Sequence, residues 1–191
     1  EVFAHGGTAN ISGTIDASAP VSGDGGFIET SGKNVKISKD TKITTKSETG
    51  KTGTWLIDPV DFTIAASGGD IDGATLSADL SSTDIVIQSS MGSIGMKGDI
   101  NVNDNVTWTT NKLTLEAEGN ININANLKAN SNGSLDMKTG YNGITSTYVD
   151  TSKSVLVGMN SDGTFKGKVS FYTDAGTTAR GGAGFLSING N

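Results

Sequence analysis

Two pairs of aspartates have the residue type and spacing that hydrolytic chemistry requires. Asp58 and Asp61 flank Pro59, whereas Asp70 and Asp72 are spaced to share one face of a strand. Paired carboxylates hydrolyse glycosides when one acts as the acid and the other as base or nucleophile. Solvated turn aspartates produce the same pattern. We favour that second interpretation because the Asn-Thr-Asp, Asp-Asp and Gly-His-Gly signatures of β-helix polysaccharide enzymes do not accompany these residues.

Other motifs that carry chemistry are incomplete. A Ser-His-Asp site would have to use His5, the single histidine, which lies beside two glycines. Residues 70–73 (DIDG) resemble the start of a calcium loop, but the rest of an EF-hand loop is missing. Residues 181–184 (GGAG) lack the Lys-Ser/Thr pair of a phosphate-binding loop. We therefore expect no catalytic residue, no bound metal and no cofactor.

A run of asparagines is the best candidate for a binding surface. Asn120, Asn122 and Asn124, continued by Asn126, alternate with apolar residues. Alternate side chains of a strand point to opposite faces, so these amides share one face and are candidates for contact with a glycan. The alternative is a solvated outer face with stacked asparagine ladders, which is favoured for polar residues in general.

Two tryptophans and three sequons complete the candidates. Trp55 and Trp108 have side chains able to stack on sugar rings, but a large aromatic residue on a strand more often packs in a core. Asn10, Asn105 and Asn132 each begin an Asn-x-Ser/Thr sequon and are possible glycosylation sites. Sequons also arise by chance in a chain this rich in Asn, Ser and Thr.

The elements that would position these residues are strands. No window has a sustained apolar period near 3.6, whereas pairs of apolar residues two positions apart recur. Residues 120–127 form the clearest predicted strand. The recurring pairs are Ile85/Ile87, Ile100/Val102, Leu113/Leu115, Ile121/Ile123, Leu135/Met137, Val155/Val157, Val169/Phe171 and Leu186/Ile188.

Spacing between these pairs indicates a repeat. Leu113, Leu135 and Val155 follow one another at steps of 22 and 20 residues, and Ile100 precedes Ile121 by 21. Steps of this size are typical of stacked coils. With about twenty residues per coil, the chain would hold roughly nine coils and extend about 40 Å. The turn signals between the pairs also fit hairpins of an antiparallel sandwich, so the pattern alone favours stacked coils but leaves both folds open.

Composition excludes several classes of function. The net charge of −6 and the single arginine, Arg180, disfavour nucleic-acid binding. Apolar runs such as residues 62–66 are too short to cross a bilayer, so membrane insertion is not expected. The absence of cysteine excludes a disulfide scaffold, thiolate zinc sites and a cysteine nucleophile.

Three segments carry the most specific family resemblance: residues 11–18 (ISGTIDAS), 23–33 (GDGGFIETSGK) and 54–59 (TWLIDP). They resemble segments of the two-partner-secretion exoproteins, the class that includes filamentous haemagglutinins, high-molecular-weight adhesins and haemopexin-binding exoproteins. The last segment is similar to a W-L-L-D-P element of that family. Looser resemblances cover residues 98–108, 113–126, 167–171 and 185–190.

The resemblance implies an all-β fold, a right-handed parallel β-helix forming one elongated domain over residues 1–191. Residues 1–66 would be the hallmark coils and residues 67–191 further coils with variable loops. The chain would be an internal segment of a larger extracellular or cell-surface protein of a Gram-negative bacterium. The family's Asn-Pro-Asn-Gly secretion signature is not found, so recognition of the outer-membrane transporter is expected to reside in a domain outside these residues.

The function implied is a structural and adhesive shaft that contacts a host receptor or glycan. Two alternatives stay open: a polysaccharide-degrading β-helix enzyme, and a scaffold for haem or haemopexin acquisition.

Overall fold

In the residues that the structure describes, the protein is mostly β-strand with almost no helix. The computed structural model describes residues 1–90, 97–142, 147–148, 152–172 and 184–190. Its strands are β1 (Val2–Ile11), β2 (Thr14–Asp16), β3 (Phe27–Ile37), β4 (Lys42–Thr44), β5 (Thr54–Asp58), β6 (Phe62–Ile64), β7 (Asp84–Ser89), β8 (Ile100–Val102), β9 (Val106–Trp108), β10 (Lys112–Ala117), β11 (Ile121–Ile123), β12 (Asn126–Asn130), β13 (Ser134–Thr139), β14 (Tyr141–Asn142), β15 (Thr147–Tyr148), β16 (Val155–Val157), β17 (Lys168–Tyr172) and β18 (Leu186–Ile188). The helix α1 spans Gly73–Asp79 and lies between β6 and β7.

Three parallel sheets organise the chain. The first sheet has seven strands in the order β1-β3-β5-β7-β10-β13-β18. The second has the order β16-β11-β8-β6 and the third β17-β12-β9, while β2 and β4 form a parallel pair of their own. Among the described strands, only β14 and β15 pair antiparallel. The antiparallel sandwich that the turn signals allowed is therefore wrong.

The chain visits the sheets in a fixed order. From β7 in the first sheet it continues to β8 in the second and β9 in the third, and then returns to the first at β10. The next circuit, β10, β11 and β12, repeats the order and ends at β13. We call each circuit that begins at a strand of the first sheet a pass. Parallel strands require such crossovers, and here short strands of the other sheets provide them.

Apolar side chains of successive passes stack in register. Leu113 pairs with both Ile85 and Leu135, and all three are fully buried. The inward columns of the first sheet are Ile28–Trp55–Ile85–Leu113–Leu135–Leu186 and Thr30–Ile57–Ile87–Leu115–Met137–Ile188. A third column, Phe62–Ile100–Ile121–Val155, runs along the second sheet. The predicted pairs Ile85/Ile87, Ile100/Val102, Leu113/Leu115, Ile121/Ile123 and Leu135/Met137 are therefore core positions, whereas Val157, Leu186 and Ile188, on the last strands of the stack, are exposed.

Two predictions made from the spacing of the apolar pairs are wrong: the partner of Val155 and the number of stacked coils. Val155 pairs with Ile121 rather than with Leu135, whose partner is Leu186. Within the described residues the first sheet has seven strands rather than nine, and at about 4.8 Å per strand it extends about 29 Å. The cause is loop length. β6 and α1 lie between β5 and β7, and four further strands lie between β13 and β18.

The predicted strand over residues 120–127 is two strands. β11 ends at Ile123 and β12 begins at Asn126, with a corner at Asn124 and Ala125. Ile121, Ile123 and Leu127 are buried as expected, but Ala125 is only partly buried. Polar and apolar residues keep alternating through this corner, so the sequence pattern resembles that of one continuous strand.

Helix α1 takes the place that a strand of the third sheet would occupy. Its residue Asp79 accepts a hydrogen bond from the backbone N–H of Ile43 at 2.9 Å, and its Ser77 hydroxyl accepts one from the N–H of Thr107 at 3.0 Å. Ile43 belongs to β4 and Thr107 to β9, so the helix lies between them. The sequence patterns did not predict this helix.

The TWLIDP segment has a simple structural basis. Trp55 and Ile57 point into the core with no exposed surface, and the Trp55 Nε1 donates to Thr30 Oγ1 at 3.0 Å. β5 ends at Asp58, and Pro59, which cannot donate to a ladder, forms the corner toward the second sheet. The predicted boundary at residues 66 and 67 falls in the next loop, between β6 and α1, and stays a prediction.

No described helix is long and apolar enough to cross a membrane.

Candidate functional site

The asparagine surface lies on the outer face of the second sheet, where side chains of successive passes bond to one another. Asn122 Nδ2 donates to Asn101 Oδ1 at 2.9 Å, and Asn101 Nδ2 donates to Thr63 Oγ1 at 3.4 Å. The three residues are in register on β6, β8 and β11. Parallel pairing places identical positions about 4.8 Å apart, which suits side-chain amides that bond to their neighbours.

The ladder continues at both margins of this sheet. Beyond β11, Asn124 Nδ2 donates to Asn103 Oδ1 at 2.9 Å. At the corner before the sheet, Asp61 Oδ1 accepts the N–H of Asp99 at 2.9 Å, and Asp99 Oδ1 accepts that of Asn120 at 2.7 Å. Each polar side chain of this corner therefore caps the backbone of the next pass.

These contacts bear on two predictions. The interpretation of stacked asparagine ladders describes the geometry of Asn122 and Asn124, whereas Asn120 donates its backbone N–H to Asp99 Oδ1 and accepts the N–H of Ser154 on its own Oδ1. All three asparagines are partly exposed. An amide has two N–H donors and one carbonyl acceptor, so a ladder bond leaves part of each group directed to solvent. Contact of the three residues with a glycan stays a prediction.

A groove of about 380 Å³ lies at the β1 end of the first sheet, beside an irregularity in β1. Ala4 pairs with Gly32 and Thr8 with Asn34, so three residues of β1 face a single residue of β3. The extra residues include Gly6, whose φ of 68° is readily adopted by glycine. The groove is lined by Phe3, Ala4, His5, Gly6, Ser31, Gly32, Lys33, Asp58, Pro59, Val60 and Ser90.

The carboxylate in this groove is electrostatically unusual. Partial burial, with a further contribution from the nearby Glu29, raises the pKa of Asp58 above its ordinary value. Glu29 itself accepts a hydrogen bond from the Ser31 hydroxyl at 2.8 Å. Within the described residues, Asp58 has no hydrogen-bond partner of its own, so both of its oxygens remain available as acceptors.

His5 and Asp58 share the groove, but they do not form a nucleophilic site. The imidazole of His5 stacks on the ring of Phe3, with centroids 6.1 Å apart and ring planes inclined by 6°. In the described part of the chain, His5 makes no hydrogen bond to Ser31 or Asp58. A Ser-His-Asp mechanism needs both hydrogen bonds, and the described geometry of the groove does not provide them.

The remaining aspartate pair is divided between two roles. Asp70 pairs with Lys36 Nζ at 2.7 Å and accepts the N–H of Thr63 at 2.7 Å. Asp72 is the N-cap of α1 and accepts the N–H of Thr75 at 2.9 Å, which lowers its pKa against the opposing effect of burial. Asp61 bonds to Asp99 and does not face Asp58 in the groove. Over the described residues, no group of three His, Cys, Asp or Glu could hold a metal ion.

The two tryptophans are buried, whereas the three sequon asparagines are exposed. Trp55 and Trp108 are 0% and 3% exposed and belong to the core, so neither presents a ring to a sugar. Asn10, Asn105 and Asn132 are all exposed, and their glycosylation stays a prediction. Residues 181–183 of the predicted glycine-rich turn lie outside the described residues.

Sequence reasoning missed Phe3, Ser31 and Lys33 as lining residues. The one available signal was the Gly6-Gly7 pair inside an otherwise strand-like segment, which is typical of a bulge.

Comparison of the chain with protein-family models, with curated proteins and with solved structures found no match.

Proposed function

We propose that the chain is a segment of the adhesive shaft of a Gram-negative exoprotein of the two-partner-secretion class, folded as a right-handed parallel β-helix. The observation that carries this proposal is the in-register stacking of successive passes. Ile85, Leu113 and Leu135 stack inside, while Asn101 and Asn122 bond to each other outside. Stacking of this kind extends along one axis, and each pass contacts only its neighbours.

A shaft role follows from how such a stack is stabilised. Backbone groups of each strand are satisfied by the strands before and after it, so the structure grows in length without growing in width. Its core needs few apolar residues, in agreement with a hydrophobic content of 34%. The exposed polar ladders keep the outer face soluble and regular. A rod with these properties suits display of binding surfaces at a distance from a cell.

The attachment role assigns the outer surface to a host receptor or glycan. Secretion would proceed through an outer-membrane transporter recognised by another part of the exoprotein, and the segment would act outside the cell. A chain without cysteine can pass a pore without forming disulfides on the way.

Cell attachment of the purified chain tests this proposal. Saturable binding to epithelial cells or to a glycan array is expected. Binding should be equal to that of the same chain with all three sequons removed (Asn10→Gln, Asn105→Gln and Asn132→Gln), because attachment is assigned to the protein surface. Absence of binding to both cells and glycans would contradict the attachment role.

Two further measurements separate the alternatives. Incubation with a panel of polysaccharides is expected to release no reducing ends and no unsaturated products, and release of either would favour the enzyme. Titration with haem is expected to give no saturable Soret shift, and a saturable shift would favour a scaffold for haem acquisition.

A further inference from the structure

The groove beside β1 combines an aromatic surface with hydrogen-bonding groups. Phe3 is 49% exposed, and its ring plane is nearly parallel to that of His5. An exposed aromatic ring beside a concave polar surface offers a face on which an apolar ligand face can stack. Pyranose sugars have such a face, formed by their axial C–H groups.

The polar residues of the groove are placed to form hydrogen bonds with the hydroxyl groups of a pyranose ring stacked on Phe3. Asp58 has two acceptor oxygens with no partner among the described residues, and Ser90 is exposed at the end of β7. Two adjacent sugar hydroxyls can donate to the two oxygens of one carboxylate. Partial burial of Asp58 strengthens these hydrogen bonds because water competes less for its oxygens.

The charges in the groove select among sugars. Lys33 and Asp58 offset each other, and Glu29 adds a second negative charge close to Asp58. An anionic sugar would therefore place its carboxylate near two carboxylates, which costs free energy. A neutral sugar has no such penalty.

We infer that this groove binds a neutral hexopyranose, stacked on Phe3 and hydrogen-bonded through its hydroxyls to Asp58. The inference rests on the proposed attachment function, for which it names the class of ligand. It assigns that ligand to the groove and not to the asparagine surface.

Titration of the isotope-labelled chain with methyl glycosides, followed by NMR, tests the inference. The probes are the methyl β-glycosides of galactose, glucose and N-acetylglucosamine, with N-acetylneuraminic acid as the anionic probe. At least one neutral glycoside is expected to shift the amide signals of Phe3, His5 and Lys33 in a saturable way. No saturable shift with any neutral glycoside, or a shift with the anionic probe alone, would overturn the inference.

Variants locate the binding site. Phe3→Ala and Asp58→Asn are each expected to weaken binding of that glycoside at least tenfold. Phe27→Ala is the matched control, because Phe27 is also a phenylalanine of the first sheet, is 57% exposed, and does not line the groove. Equal binding by Phe3→Ala, Asp58→Asn and the control would refute the groove as the site. A spectrum with native dispersion for each variant shows that its fold is retained.

The outcomes also separate this inference from the proposed function. Cell attachment that survives both groove substitutions, together with no saturable shift from any neutral glycoside, would refute the groove and leave attachment standing. Glycoside binding in the groove without any attachment to cells would support the groove and contradict the adhesive role.

Discussion

Asn122 donates its side-chain N–H to the carbonyl oxygen of Asn101 at 2.9 Å, across 21 positions of sequence. The two residues occupy equivalent places on neighbouring strands of the second sheet. An asparagine ladder of this kind fixes register, since a shift by one residue would place Asn122 opposite a buried residue of β8.

Replacing Asn122 with aspartate should weaken the stack. The substitution places a carboxylate acceptor beside the carbonyl acceptor of Asn101 and removes the donor. We expect a loss of about 1 to 2 kcal/mol in the free energy of unfolding at pH 7. Urea unfolding measures it. Asn34→Asp is the control, because Asn34 is exposed and its bond to Thr8 is long at 3.5 Å. Equal losses in both variants would contradict a role for the ladder.

Cysteines at positions 101 and 122 should form a disulfide. The chain has no cysteine of its own, and neighbouring parallel strands lie at a distance that a disulfide spans. Oxidation of the pair Asn101→Cys and Asn122→Cys is expected to give one intramolecular cross-link, detected by peptide mapping without reductant. The control joins Asn101→Cys with Asn126→Cys, which lies on a different sheet. Equal cross-linking of the control would show that the register is wrong.

Asp79 should make stability depend on pH. Its side chain is 3% exposed, and burial raises its pKa to about 7 from 3.8, against the smaller effect of the Ile43 N–H bond. Between these two values the folded state binds more protons than the unfolded state, so rising pH removes stability and the loss is complete above pH 7. Each unit of pKa corresponds to about 1.4 kcal/mol.

Asp79→Asn tests this dependence, because the amide keeps the acceptor for Ile43 without the charge. We expect the variant to exceed the original chain by about 2 to 4 kcal/mol in the free energy of unfolding at pH 8 and to equal it within about 1 kcal/mol at pH 4. Glu48→Gln, an exposed substitution of the same kind, should change little at either pH. A difference that does not vary with pH would contradict the assignment.

Gly25 should not tolerate alanine. A Cβ at this position would overlap the backbone carbonyl of Thr45 in the next pass, although the φ of Gly25 is not left-handed. The backbone cannot move aside without disturbing the stack, so we expect a loss of about 2 kcal/mol or more. Gly7→Ala is the control, since its Cβ would meet only Ala4 at 3.9 Å or more. Thermal unfolding of both variants gives the comparison, and an unchanged melting temperature for Gly25→Ala would contradict the close approach.

Core positions were predictable from sequence because every second side chain of a strand points to the same face. Leu113 and Leu115 are two apart, and both point inward next to Ile85 and Ile87 of the previous pass. The pairs therefore appear in sequence without knowledge of the fold. Which pair lies over which depends on loop length, and this explains why the partner of Val155 was predicted wrongly.

Helix α1 and the groove were not predictable for a different reason. The helix has seven residues, its Leu76 is buried, and it packs against β4 and β9, which are distant in sequence. A helix this short gives no sustained period. The groove joins Phe3 to Asp58 across two strand pairings, and only the register of those pairings places them together.

The position of α1 has a mechanical consequence. In the third sheet, β9, β12 and β17 are joined by backbone ladders, whereas β4 and β9 are connected through the side chains of Asp79 and Ser77. Tension along the axis of a rod is carried by whatever joins one layer to the next. We expect this protein, when pulled from its ends, to yield first at the level of the helix, because side-chain hydrogen bonds rather than a backbone ladder connect β4 to β9 there.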